Sequence, residues 1–303
     1  MATFFDEVRK NKVRSSVIIF FFFVFVLALG GFIGWFWLQG GAGFTGGVIL
    51  ALIVGGLYFL IAWFAGSGIV LSTTGARPAT KQEFPYFVNT VEGLAIAAGV
   101  DTPKCYVIDD TALNAFATGR DPQNSAICVT TGLLKTMNRQ ELEGVVAHEM
   151  SHIKNYDIRV MLLTAVLVAV LTLLSDIFLR SFLFGGGRSS DREGGQLQVV
   201  LIVVGLVLVI LSPLIGQLIK LAVSRKREYL ADASGAMLTR YPPGLASALK
   251  KIKKDPDPLV DHANRATAHL FISTPFRKKS GFFTGLFSTH PPIEERIKRL
   301  EAM

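Results

Sequence analysis

The sequence predicts a multi-pass α-helical membrane protein with a mainly helical α+β soluble domain. Apolar residues make up 50% of the 303 positions and charged residues only 18%, whereas soluble domains carry about 25% charged residues. The apolar excess is concentrated in four long blocks with very few charges. This composition excludes a disordered chain and a coiled coil, and it argues against a wholly soluble protein.

Each apolar block approaches the roughly 20 residues that a helix needs to cross a hydrocarbon layer of about 30 Å. The blocks are Val17–Leu38, Val48–Leu71, Val160–Leu179 and Leu197–Ile219. The sequence therefore predicts about four transmembrane helices in two hairpins. For the third and fourth blocks a second interpretation, a pair of buried core helices, stays open, because Asp176, Pro213 and Gln217 weaken their hydropathy.

The positive charge indicates how the chain is oriented in the membrane. The net charge is +8, and Arg9, Lys10, Lys12 and Arg14 precede the first block, whereas the loop at 39–47 has no basic residue. Basic loops stay on the cytoplasmic side, so we expect a cytoplasmic N-terminus and cytoplasmic soluble segments. Basic and aromatic residues are not interleaved as in nucleic-acid-binding surfaces, so no nucleic-acid partner is expected.

The blocks divide the chain into four segments. Residues 1–71 hold an N-terminal cytoplasmic tail and the first transmembrane hairpin, and residues 159–222 hold the second hairpin. Residues 72–158 and 223–303 form the two halves of one soluble domain. The second hairpin is therefore expected to interrupt that domain.

The first soluble half has a helix and three strand-like runs. The expected elements are a helix over Glu83–Ala98 and strands over Lys104–Ile108, Asn114–Thr118 and Ala126–Thr130. Gly99 ends the helix, and turn residues at Asp109–Asp110 and at Gly119–Pro122 separate the strands. This order indicates an α+β domain.

Three further helices are expected. One covers Arg139–Tyr156 and is opened by a capping-box pair, Asn138 and Glu141. The second covers Arg225–Thr239. The last starts near Thr289, with the prolines at 291 and 292 in its first turn.

The motif that carries chemistry is His148-Glu149-Met150-Ser151-His152, inside the helix expected over 139–156. Two histidines four residues apart lie on one helix face, so both imidazoles reach a single ion. The glutamate between them is displaced around the helix but is long enough to contact a water at the metal. Because catalytic zinc needs three protein ligands and one open position, a third histidine or carboxylate is expected elsewhere.

Glu228-Tyr229-Leu230-Ala231-Asp232 follows the fourth block and offers that third ligand. Glu228 is expected on the metal, while Asp232, one turn later, accepts a hydrogen bond from the distal nitrogen of a ligating histidine. Alone, both carboxylates would be assigned to ion pairs with Arg225–Arg227; beside the histidine motif the metal role is favoured. Two apolar blocks separate His152 from Glu228, so an even number of crossings leaves both on one side of the membrane.

HExxH followed by ExxxD on a second helix is the gluzincin pattern, and with the four apolar segments the chain resembles the HtpX-type membrane zinc metalloproteases. The resemblance covers nearly the whole length and includes Asn114–Ala117, Ala268–Phe271 and Ser288–Pro292. It implies a zincin (gluzincin) catalytic domain that binds one Zn²⁺ per chain through His148, His152 and Glu228. Asp232 is expected to accept a hydrogen bond from one of these histidines.

The resemblance further implies peptide hydrolysis by a zinc-activated water, with Glu149 as general base. It implies a stress-response role in protein quality control at the bacterial cytoplasmic (inner) membrane, where damaged or misfolded membrane proteins are cleaved at the cytoplasmic face. Two alternatives stay open. One is a CAAX-type prenyl-protein endopeptidase, from a related group with more transmembrane segments, and the other is a non-catalytic metal-binding membrane scaffold.

Two further sites rest on weaker signals. His290, in a Thr-His-Pro turn, is a candidate donor to the tetrahedral oxyanion, or simply a histidine near the start of the last helix. Asn114 and Ala115 begin a strand that either binds the substrate backbone by β-addition or is an ordinary core strand.

Overall fold

The computed structural model describes residues 4–38, 40–169, 225–256, 267–273 and 291–303. The chain separates into two compact units. The larger unit comprises residues 1–15, 65–162 and 219–303, and the smaller unit comprises residues 16–64 and 163–218. The predictions for the fourth apolar block, for the second half of the third and for His290 lie outside the described residues.

Two long helices run through the N-terminal apolar blocks. Helix α1 spans Phe4–Leu38 and α2 spans Gly41–Thr73. Their segments Glu7–Trp35 and Gly41–Thr73 are long and apolar enough to cross a membrane. Within the part of the chain that the structure describes, α1 and α2 are the helices with the length and apolarity to cross a membrane. They occupy the positions predicted for the first transmembrane hairpin.

Glycines bring α1 and α2 together within the smaller unit. Gly30 and Gly34 of α1 face Gly43 and Gly47 of α2, and a Cβ atom on Gly30, Gly34 or Gly47 would overlap the backbone of the opposite helix. Small residues four apart are typical of helix contacts in membranes, where close backbone approach replaces the hydrophobic effect as the source of stability.

The larger unit contains a four-stranded sheet. Its strands are β1 (Arg77–Pro78), β2 (Lys104–Ile108), β3 (Ala115–Asp121) and β4 (Asn124–Thr130). The order is β1-β2-β4-β3, with β2 parallel to β4 and the other pairs antiparallel. Strand β3 is therefore at an edge of the sheet, with one row of backbone groups turned away from β4.

The bounds of β2 were predicted correctly, but β3 is longer than expected. It continues through Gly119–Asp121, which the sequence placed in a turn. An irregularity in pairing lies between Gly119 and Asp121, and Gly119 has φ 145°, a conformation that glycine adopts without steric cost. The bulge lets β3 continue past Gly119, so the chain reverses into β4 later than expected, at residues 122–123.

Helices surround this sheet. They are α3 (Pro85–Ala98), α4 (Thr131–Thr136), α5 (Arg139–Lys154), α6 (Arg225–Thr239), α7 (Pro242–Lys254) and α8 (Ile293–Glu301), with a 3₁₀ turn at Ala268–Leu270. Residues 157–169 are also helical. The described part of α6 lies within the predicted range, and its end at Thr239 agrees with the prediction.

Three helix ends differ from the prediction, two of them because of proline. Helix α3 begins at Pro85 rather than Glu83, since a proline disfavours helical backbone in the residue before it. Helix α8 begins at Ile293, so the expectation of two prolines inside its first turn was wrong. Pro292 disfavours helical backbone at residue 291, and Pro292 itself is the N-cap, with φ −53° and an extended ψ of 128°. Helix α5 ends at Lys154 instead of Tyr156, whose φ is 61°.

Helix α5 lies at the centre of the larger unit, where it packs against α3, α6, α7 and strand β3. Its predicted capping box is present: the Asn138 side chain accepts from the Glu141 N–H at 3.0 Å, and the Glu141 carboxylate accepts from the Asn138 N–H at 2.8 Å. Every residue from Gly144 to Ile153 is buried. The polar side chains of the histidine motif are therefore inside the protein.

Candidate active site

Two helices position the candidate site. Helix α5 supplies His148, Glu149 and His152, and α6 supplies Glu228 and Asp232. The helices approach closely because α6 carries a glycine at 235: a Cβ there would lie 3.0 Å from the backbone nitrogen of His148. This contact brings the carboxylates of α6 against the imidazoles of α5.

The side chains of His148, His152 and Glu228 form a donor set for one metal ion. Each offers one ligand atom, and these atoms lie within 4.8 Å of one another. The two Nε2 atoms are 3.2 Å apart, and Glu228 Oε1 is 3.5 Å from His152 Nε2. Tetrahedral zinc with bonds of 2.0–2.1 Å places two nitrogen ligands about 3.3 Å apart. The donor set therefore fits a zinc ion by its chemistry and its spacing.

A carboxylate holds the far side of each histidine. His148 Nδ1 is 3.0 Å from Asp232 Oδ1, and His152 Nδ1 is 3.0 Å from Asp157 Oδ2. A carboxylate at Nδ1 favours the proton there and leaves the Nε2 lone pair for a metal. Both imidazoles are thus oriented as metal ligands.

Asp157 is one of three functional positions that the sequence reasoning missed. Its Oδ1 accepts from Asn11 Nδ2 at 2.8 Å and from Arg227 Nη1 at 3.3 Å. The helix break at Tyr156 turns the backbone so that Asp157 returns against His152. The aspartate five residues after His152 is visible in the sequence, but nothing there indicates that the break directs it back to the motif.

Arg296 of α8 is the second missed position. It is 1% exposed, and it donates to Asp232 at 2.9 Å from Nε and at 2.7 Å from Nη2. Its Nη1 also lies 3.4 Å from Glu228 Oε2. This paired geometry fixes the carboxylate behind His148. A single arginine in an amphipathic helix normally faces solvent, so its burial was not predictable from the local pattern.

Asn11 is the third missed position, and it comes from the start of α1. It is completely buried, and its Nδ2 also donates to the Asn155 carbonyl at 2.9 Å. An asparagine among basic residues before an apolar block gives no signal of burial. The N-terminal turns of α1 are therefore part of the structure that supports the metal ligands.

The environment of Glu149 suits proton transfer. The side chain is buried, with 2% of the residue exposed. Burial raises the pKa of Glu149 to about 7, although the charge of His152 and a hydrogen bond from the Ala117 backbone act in the opposite direction. Burial and the positive charge of Arg296 lower the pKa of His148, which keeps this imidazole neutral.

Asn114 and Ala115 lie at the start of edge strand β3, where a segment of the same chain contacts them. Asn114 Nδ2 donates to the Ser273 carbonyl at 3.2 Å, and the Ile272 N–H donates to the Ala115 carbonyl at 2.8 Å. The outer edge of β3 therefore pairs with extended backbone at this point. The next outward-facing residue, Ala117, is the one that contacts Glu149.

Comparison with known proteins identifies the group to which this arrangement belongs. Residues 81–303 match the model of peptidase family M48. The "Protease HtpX homolog" of Dictyoglomus turgidum is 45% identical over 302 residues, covering 99% of this chain and 95% of that protein. The protein of the same name from Streptococcus mutans is 45% identical over 301 residues, covering 98% of this chain and 99% of that protein.

A solved structure has a similar fold. The crystal structure of S. mikatae Ste24p superposes with a TM-score of 0.52 at 20% identity, covering 97% of this chain and 66% of that chain. The family model covers most of this chain and the relatives cover nearly all of it. The chain therefore belongs to peptidase family M48, among the HtpX-type membrane metalloproteases.

Proposed function

We propose that this protein is a zinc endopeptidase of the bacterial inner membrane that cleaves damaged or misfolded membrane proteins at the cytoplasmic face. The observation that carries the proposal is the buried donor set of His148, His152 and Glu228 beside Glu149, whose pKa is raised to about 7. A donor set with three protein ligands suits a catalytic rather than a structural zinc, because it leaves one position for water or substrate.

Zinc held by these three side chains would supply Lewis-acid polarisation of the scissile carbonyl and a more acidic water. Glu149 takes the proton from the attacking water and returns it to the leaving amine, and a pKa close to 7 suits both directions of transfer. Asp232 and Asp157 hold the two imidazoles in the ligand orientation. Arg296 keeps Asp232 ionised, since its positive charge and hydrogen bonds lower the pKa of this carboxyl despite the opposing effect of burial.

Substrate binding is assigned to the outer edge of β3. Asn114 and Ala115 already pair with the backbone of residues 272–273, so the same groups have the geometry to bind a substrate strand in place of that segment. A peptide on this edge would pass Ala117 and hence Glu149. His290 remains the proposed oxyanion donor on the sequence argument alone.

The proposal is tested by cleavage of a model membrane protein in detergent or proteoliposomes. Wild-type protein with zinc should cut the substrate, and Glu149→Gln should lose cleavage by at least the 10²–10⁴-fold typical of a general base while retaining zinc. Glu143→Gln, which removes an ion pair with Arg139 at 3.0 Å on the same helix, is the matched control and should cleave normally. Wild-type turnover by Glu149→Gln would overturn the assignment.

A further inference from the structure

A cavity of about 780 Å³ lies within the larger unit, where α1, α5 and α6 meet. It is large enough for a small-molecule site, since such sites usually measure about 300–1,000 Å³. Among the described residues its walls exclude the three metal ligands, although Ser151 and Arg227 on the walls adjoin His152 and Glu228 in sequence. The cavity is therefore distinct from the candidate active site.

The walls of the cavity are strongly basic. The basic side chains are Lys10, Arg14, Lys154, Lys226 and Arg227, against one acidic side chain, Glu7. Glu7 is paired with Lys10 at 2.7 Å. Arg227 is paired with Asp157 at 3.3 Å. Counted with Glu7 and Asp157, the basic side chains still outnumber the acidic ones by five to two, so the cavity favours an anionic occupant.

The remaining walls are largely apolar. They include Ala98, Met150, Leu230, Met237 and Leu238. Met237 is 79% exposed, so the apolar wall continues to the protein surface. An occupant that matches both kinds of wall has an anionic group and a hydrocarbon part.

Three cavity-lining residues, Glu7, Lys10 and Arg14, lie in the first turns of Glu7–Trp35, the segment of α1 that is long and apolar enough to cross a membrane. Arg14 lies three residues before Val17, where the first apolar block begins, and both belong to the continuous helix α1. At 1.5 Å per residue the distance along the helix axis is about 5 Å. Basic side chains at this depth lie where lipid headgroups are found.

We propose that the cavity binds an anionic phospholipid. The phosphate contacts the lysine and arginine side chains, and the hydrocarbon part lies along Leu230 and Met237. This binding is separate from peptide hydrolysis, so its measurement does not depend on the proposed function.

The test is a titration of the detergent-solubilised full chain with phosphatidylglycerol and, separately, with phosphatidylcholine of the same acyl chains, read by native mass spectrometry. Phosphatidylglycerol should bind at one preferred site and phosphatidylcholine should not. Lys10→Gln with Lys226→Gln should weaken phosphatidylglycerol binding by about fivefold for each charge removed, which corresponds to about 1 kcal/mol per basic side chain.

The matched control is Lys81→Gln with Lys253→Gln. These lysines are ion-paired, as Lys10 is, and they do not line the cavity. The control should bind phosphatidylglycerol as the wild type does. Equal binding of the two lipids, or equal losses in the two double variants, would overturn the proposal. Competition by glycerol phosphate as strong as that by the intact lipid would also overturn it, since the apolar wall would then contribute nothing.

Discussion

Replacing Asp157 by asparagine should weaken zinc binding by about 10–100-fold with almost no change in side-chain volume. Two donors, Asn11 and Arg227, point at Oδ1 of Asp157, so the oxygen of an asparagine would stay on their side. Its amide nitrogen would then face His152 Nδ1, at the position of the present 3.0 Å contact. The imidazole could accept that hydrogen bond only with its proton on Nε2, the atom that must bind the metal.

The size of the effect follows from the lost contact. A hydrogen bond to a charged group contributes about 1.5–3 kcal/mol, which is about 10–150-fold in a binding constant and agrees with the range for residues that orient metal ligands. The assay is competition for zinc between the detergent-solubilised protein and a chromogenic chelator. Circular dichroism of the metal-free protein shows whether the fold is kept.

The control variant is Asp109→Asn, whose carboxylate is 62% exposed and pairs with Arg77 far along the chain from the motif. It should bind zinc with wild-type affinity. An unchanged zinc dissociation constant in Asp157→Asn would refute the role of Asp157 in orienting His152.

Three other consequences concern the packing and charge of the larger unit. Gly235→Val should force α6 away from α5, lowering both zinc affinity and the thermal midpoint by the equivalent of about 1–3 kcal/mol. The control Gly93→Ala should not destabilise the protein, because a Cβ at residue 93 meets no atom within 4 Å. Equal thermal midpoints for the two variants would count against the close approach of α5 and α6. Arg296→Lys should reduce zinc affinity because a lysine cannot bind both carboxylate oxygens in the same planar geometry, and an affinity equal to wild type would show that the paired contact is dispensable. Burial raises the pKa of Glu141, but hydrogen bonds led by that of Lys251 hold it below its usual value. The contribution of this carboxylate is therefore present above about pH 4.3 and lost as the pH falls further, so the thermal midpoint should drop more steeply on acidification in wild type than in Glu141→Gln.

Local signals predicted the parts of the fold that depend on neighbouring residues. The capping pair Asn138 and Glu141, the bounds of β2 and the end of α6 at Thr239 follow from short-range chemistry, and all are present. The ends of β3 and α8 were wrong, because one glycine permits a bulge and one proline blocks helical backbone before it. Apolar periodicity gives no information about either the glycine bulge or the proline restriction, so a prediction based on periodicity places these two ends wrongly.

The candidate site divides in a similar way. Fixed spacing on two helices was enough to select His148, His152, Glu228 and Asp232, and the structure brings the four together. The side chains that support them come from distant parts of the chain, and Arg296 resembles an ordinary surface arginine in sequence. Only three-dimensional packing shows that it is buried.

The central claim is that His148, His152 and Glu228 together hold the zinc on which cleavage depends. The most direct measurement is the zinc content of the purified full chain by mass spectrometry of the metal, for wild type and Glu228→Ala, alongside cleavage of the same substrate. Wild type should carry one zinc per chain, and Glu228→Ala should lose both the metal and the activity. A Glu228→Ala protein that retains one tightly bound zinc, or that cleaves at the wild-type rate, would contradict the account.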